Sequence, residues 1–145
     1  RNTSSPHWRA WLSAENRCLV PANSFAEYAP ERNPQTKKKD LVWFALNDDR
    51  PLFAFAGMWT VFNGDRGTKS KPVAGPHQVY GFLTTEPNDV VGAIHPKAMP
   101  VILTKPEEIE AWLTAPAEEA LKLQRPLPDG VLKVVARGGK KDGES

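Results

Sequence analysis

The sequence predicts an α+β fold: a single domain with a bent, largely antiparallel, barrel-like sheet and short peripheral helices. Three observations predict it. Fourteen prolines in 145 residues, about twice the usual ~5%, favour short elements and frequent turns over long helices. Short apolar runs rich in Val, Phe and Trp recur between turn residues, as strands do. The helix-like signals are brief. Residues 1–137 form the domain in this reading, and residues 138–145 a charged, loose tail.

The elements follow in order. Ser5 and Pro6 read as an N-cap and first helical position, opening a short helix from His7 to Ala14 with Trp8, Trp11 and Leu12 on one face. Residues 18–20 and 24–28 read as strand segments bent at Pro21. Residues 30–40 are a polar loop containing Lys37, Lys38 and Lys39. Residues 41–46 and 52–60 are strands about the turn Asn47-Asp48-Asp49-Arg50, a hairpin pattern. Residues 62–78, rich in Gly, Lys and Pro, read as a long exposed loop. Residues 79–85 form an apolar strand in the same sheet, and 87–92 a helical turn leading to His95. Residues 100–103 are a buried strand. Thr104 and Glu107 match a capping box ahead of a helix over 106–113. A second short helix over 117–123 and a strand over 131–136 complete the chain.

The composition bounds the function. An apolar share of 40% and a charged share of 25% are ordinary for a globular protein. A net charge of +2 neither demands nor excludes nucleic acid. The single cysteine, Cys18, has no partner for an internal disulfide, consistent with a reducing compartment. No apolar run approaches a membrane span, and no signal-peptide pattern opens the chain. A cytoplasmic location is expected, nucleoid-associated in a bacterium. The first residue is Arg1, so the chain is processed or begins inside a longer protein.

Two ionisable residues stand in apolar surroundings. Glu27 lies among Phe25, Ala26 and Tyr28. A solvent-facing strand Glu is the ordinary alternative, but alternation puts Glu27 on the side of Phe25. A core-side carboxyl needs a partner or a raised pKa, which is what a general acid or base requires. His95 stands between Ile94 and Pro96, where proline restricts the residue before it; an ordinary turn His is the alternative. The two are expected to line one cleft. Cys18 is read as a small buried hydrophobe, because Arg17 beside it points to the opposite strand face and cannot activate it. No metal is expected, since His7, His77 and His95 lack ligand spacing. No cofactor is expected, since Gly64-Asp65-Arg66-Gly67 and Gly138-Gly139-Lys140 match no phosphate-binding glycine motif.

Basic residues cluster at Lys37 to Lys39, at Arg66, Lys69 and Lys71, and at Arg137, Lys140 and Lys141. Loops of this kind grip a phosphate backbone or are simply solvated. Those carrying Lys37 to Lys39 and Arg66 to Lys71 are expected to flank the cleft. Tyr28 and one or two of the five Trp offer stacking surfaces for single-stranded bases; most Trp belong to the core.

Arg17-Cys18-Leu19-Val20-Pro21-Ala22, followed by Phe25-Ala26-Glu27-Tyr28, and Ile94-His95-Pro96-Lys97-Ala98-Met99-Pro100-Val101-Ile102-Leu103 carry a resemblance. In order and flanking residues they resemble the SRAP family, the SOS response-associated peptidases and abasic-site DNA-crosslinking proteins. Gly81-Phe82-Leu83-Thr84-Thr85 looks like the family's strand ahead of the His loop. The likeness runs from Arg1 to about Arg137. It implies a protein of the DNA damage response that recognises single-stranded DNA with abasic sites. An N-terminal Cys, absent from this chain, would form a thiazolidine with the ring-opened sugar. Glu27 would orient the amine and shuttle protons, and His95 would assist ring opening and reversal. Arg1 looks like the Arg of the family's Asn-x-Arg motif, contacting phosphate or sugar. The Asn would fall just before residue 1, with Asn2 as the alternative. Tyr28 and Lys97 complete the expected DNA contacts. A thiol peptidase acting on its own leader and a non-catalytic single-stranded DNA-binding module are the other two readings.

Overall fold

The structure, a computed structural model, describes residues 11–143. The expected contacts Arg1 and Asn2, the Ser5–Pro6 helix start and Trp8 lie outside those residues. Of the expected first helix, residues 11–13 are not helical, and a 3-10 turn, Ala14–Asn16, begins where that helix is expected to end.

Nine strands follow: β1 (Arg17–Ala22), β2 (Phe25–Arg32), β3 (Lys39–Ala45), β4 (Phe53–Phe62), β5 (His77–Phe82), β6 (Thr84–Thr85), β7 (Met99–Pro100), β8 (Ile102–Leu103) and β9 (Lys133–Arg137). Short helices span Asp89–Gly92, Pro106–Thr114 and Ala117–Ala120. Every strand pairing is antiparallel. The fold is therefore α+β with peripheral helices, as the sequence predicts. The sheet is not closed into a barrel. It is divided into β1-β4-β5 with β8 on β4, then β2-β3-β9, and the ribbon β6-β7.

The expected hairpin over residues 41–60 does not form. β3 has both edges taken, by β2 and β9, and β4 is flanked by β1 on one side and by β5 and β8 on the other. Two central strands cannot also pair with each other. The turn after β3 instead carries the chain from one sheet to the next, through Arg50 at φ 52. The bend between β1 and β2 falls at residues 23–24, not at Pro21. Pro21 stays inside β1, at a sheet edge where its missing N–H costs no ladder bond.

Strand alternation on β4 builds the core on both of its faces. Phe53 and Phe55 join Val42, Phe44, Val91, Met99 and Ile102 on one side. Ala56 and Met58 join Leu12, Leu83, Val101, Leu103 and Trp112 on the other. The two clusters share β4 and residues 99–103, so the halves are not separable. Trp112 is fully buried on the helix Pro106–Thr114. Its Nε1–H is shared between the carbonyls of Cys18 and Gly57, at 2.9 and 3.0 Å, pinning the helix to β1 and β4. That helix is capped one residue later than expected. Glu108 Oε1 accepts from the backbone N–H groups of Thr104 and Lys105, both at 3.1 Å.

Two segments outside the regular elements carry specific hydrogen bonds. In the loop between β4 and β5, Asp65 Oδ1 accepts from Gly67 and Val73 N–H at 2.7 and 2.6 Å. The chain after β9 is tied down where Trp43 Nε1 donates to Gly139 O at 3.0 Å and Arg50 Nη2 donates to Asp142 at 2.6 Å.

Candidate functional site

Glu27 is on β2 opposite Val42, and Phe25 is opposite Phe44. Cross-strand partners share a face, so Glu27 points to the side where Val42 and Phe44 are buried. The alternation argument therefore holds. His95 follows the helix Asp89–Gly92. Asn88 caps that helix, its Oδ1 accepting from Val91 N–H at 3.0 Å while its Nδ2 donates to Leu127 O at 2.9 Å. The His95 N–H then closes on Val91 O at 2.7 Å. The backbone that aims His95 is thus fixed from both sides.

The imidazole is held as well. Nδ1 lies 2.9 Å from the Ala98 carbonyl. A carbonyl oxygen only accepts, so Nδ1 carries the proton and Nε2 is left to face Glu27. Nε2 and Glu27 Oε2 are 3.9 Å apart. That is an ion-pair separation rather than a hydrogen bond, and a substrate N or O placed between them would reach both. Burial pushes the Glu27 carboxyl up from its ordinary range, and the imidazole opposite offsets part of that rise. A raised carboxyl pKa brings protonated and ionised forms closer to balance near neutrality, as proton transfer requires.

The pair stands where two cavities meet. One, of about 270 Å³, is apolar apart from Thr84. Phe25, Phe55, Phe82, Met99 and Pro100 line it together with Glu27 and His95. Phe55 and Phe82 are in ring contact, with centroids 4.7 Å apart. The other, of about 430 Å³, runs along the opposite flank, between Tyr28, Pro30, Lys39, Pro96 and Lys97. The site thus has an apolar side and a cationic side.

Tyr28, 62% exposed, and Lys97 are both brought to the pair, and Lys39 arrives with them. Lys37 and Lys38 line neither cavity, nor do Arg66, Lys69 and Lys71. The loop that carries the last three leaves β5 at its far end. Five residue steps of strand separate His77 from Phe82, roughly 17 Å at the strand rise. None of the described Trp lines either cavity; the aromatic walls are Phe25, Phe55, Phe82 and Tyr28. Sequence reasoning missed Phe55, Phe82 and Met99. The only signal for Phe82 is that it pairs with Gly57 on β4, a register no local pattern encodes.

Cys18 is only partly buried, not fully as expected. It lines a third, larger groove with Val20, Trp59 and Tyr80. Burial raises its thiol pKa, which disfavours the thiolate. Arg17 lies on the other face of β1, its guanidinium 5.5 Å from the Trp112 ring centre and donating to Ala115 O. Among the described residues, no group of three His, Cys, Asp or Glu side chains is placed to hold a metal, and no helix is long and apolar enough to cross a membrane.

A family model described as SOS response associated peptidase (SRAP) matches residues 2–136. No curated protein matches the chain. Among solved structures, a phage-related protein from Bordetella bronchiseptica is similar at a TM-score of 0.60 with 20% sequence identity. The alignment covers 90% of this chain and 56% of that one, so this chain spans little more than half the length of that relative. At that identity the likeness concerns the fold alone.

Proposed function

The chain belongs to the SOS response associated peptidase (SRAP) family, and from that premise we propose that it carries the proton-transfer and DNA-binding part of an abasic-site crosslinking protein. The membership associates the chain with the response to DNA damage. The finer reading rests on one observation. Glu27 and His95, 68 residues apart in sequence, face each other at 3.9 Å beside one cationic and one apolar cavity.

Forming a thiazolidine on a ring-opened sugar needs three proton movements. The sugar must open to its aldehyde, the attacking α-amine must give up its protons as the aldehyde oxygen leaves as water and the imine forms, and the imine nitrogen must gain a proton as the thiol loses its own and sulfur adds to the carbon. His95, with Nδ1 already donating to Ala98, presents Nε2 as a proton acceptor. Glu27, its carboxyl pushed up by burial, supplies or takes the second proton. A thiazolidine needs an α-amine and a thiol on one residue, and Cys18, the single cysteine of these 145 residues, lies inside β1, so we take the terminal Cys to lie outside these residues. Tyr28 and Lys97 serve the neighbouring nucleotide by stacking and charge.

Two outcomes are expected of the 145-residue polypeptide. It binds single-stranded DNA with an affinity that falls as salt rises, by roughly 0.7 log units per log unit of salt for each phosphate contacted. It leaves no covalent band with an abasic oligonucleotide on a denaturing gel. Binding indifferent to salt would remove the nucleic-acid reading. A heat-stable shifted band that disappears in Cys18→Ser would make Cys18 the nucleophile and overturn the proposed chemistry.

A further inference from the structure

We propose that Lys39 is a phosphate-binding residue that works with Lys97 to hold the phosphodiester next to the reacting sugar, on the β3 side of the Glu27–His95 pair. This deepens the reading above and rests on it.

The observation is the asymmetry of the two cavities. Glu27 and His95 belong to both. On the apolar side the remaining walls are aromatic or aliphatic, with Thr84 their one polar side chain. On the other side the added charged groups are Lys39 and Lys97, and the only carboxylate is the shared Glu27. An anionic ligand that reaches the pair is thus drawn to one flank, because unlike charges at short range in a partly desolvated cleft interact more strongly than in bulk water.

Local structure keeps Lys39 available for this. The β2–β3 turn is tied by Asn33, whose N–H donates to Lys38 O at 2.8 Å and whose Oδ1 accepts from Gln35 N–H at 2.9 Å. The backbone that presents Lys39 is therefore set before any ligand arrives, which lowers the ordering cost of binding. The adjacent carboxylate does not neutralise it. Asp40, on the strand face of Val42 and not that of Lys39, is engaged by Arg137 at 3.4 Å and Asn33 at 3.3 Å and lines neither cavity. Lys39 makes no ion pair among the described residues. Lys37 and Lys38, identical in charge and next in sequence, stand outside the cavity. Position, not local net charge, singles out Lys39.

The test is a cycle on the 145-residue chain, read by fluorescence anisotropy across a salt series. The proteins are the wild type, Lys39→Ala, Lys39→Arg and Lys122→Ala. The last removes the same charge from the helical side, where Lys122 pairs with Glu119 at 3.1 Å. The ligands are a single-stranded abasic oligonucleotide and the same strand with an uncharged methylphosphonate beside the lesion. Lys39→Ala is expected to reduce the salt slope by about 0.7, the value of one contact on a single strand. Lys39→Arg and Lys122→Ala should retain the slope. The methylphosphonate should weaken the wild type more than Lys39→Ala, in which only the Lys97 contact to that phosphate is left to lose. Equal slopes for Lys39→Ala and Lys122→Ala, or additive losses in the cycle, would overturn the assignment of Lys39 while leaving the site reading intact. A wild type that does not bind the strand would overturn both.

Discussion

In a longer protein that begins with Cys, Glu27→Gln and His95→Ala are each expected to slow formation or reversal of the abasic-site crosslink by roughly 10²–10⁴, the usual cost of removing a positioned general acid or base. Gln keeps the size of the side chain and one acceptor but has no titratable proton. His95→Ala removes Nε2 and leaves the Ala98 carbonyl without its 2.9 Å partner. Because the two residues serve one proton path, the double variant should be little slower than the worse single one. Single-turnover band formation on a denaturing gel measures this. Rates within threefold of the wild type in both variants would show that the pair is not part of the chemistry.

The largest expected loss of stability is at Trp112. Trp112→Ala should cost about 3–5 kcal/mol, the range for removing a fully buried Trp from a core. The indole also satisfies two carbonyls, those of Cys18 and Gly57, and buried acceptors left unpaired add to the cost. Trp112→Phe should lose less, since it keeps most of the packing and gives up the N–H. Cys18→Ser, at a partly buried position on β1, should move the midpoint far less. Urea unfolding followed by tryptophan fluorescence separates these cases. A Trp112→Ala midpoint equal to the wild type would show that the helix Pro106–Thr114 is not anchored as described.

Much of the site was legible because its signals are local. Two-residue alternation put Glu27 on the side of Phe25, and both line the cleft. Lys97 lies two residues after His95 and follows it to the same cavity. What was not legible depends on which strands pair. Residues 41–60 read as a hairpin because a strand, a turn and a strand look alike in sequence whether the strands pair or change sheets. Only the competing partners β9 and β5, far along the chain, decide it. The same long-range pairing carries Phe82 to the site and the Arg66 loop away from it. Lys39 reads as one of three equivalent lysines, since a charge run does not reveal which member will stand beside the pair. The tail makes contacts at Gly139 and Asp142 that are not legible locally, for a related reason. Its anchors, Trp43 and Arg50, lie about a hundred residues upstream, with sequence separations of 96 and 92.

The central claim is that Glu27 and His95 share one proton-transferring site, and the most direct measurement is the titration of Glu27 itself. Followed by NMR at its side-chain carboxyl carbon, Glu27 should titrate above 4.5, its ordinary value, because burial disfavours the charged form. In His95→Ala it should move higher still, since the attraction of the imidazole is lost. Linkage sets the sign for stability. With the folded value raised, the contribution of Glu27 is fully present below 4.5 and is lost as pH rises through the folded value. Glu27→Gln should therefore gain on the wild type as pH rises through that window. A Glu27 that titrates at its ordinary value and does not respond to His95→Ala would contradict the account.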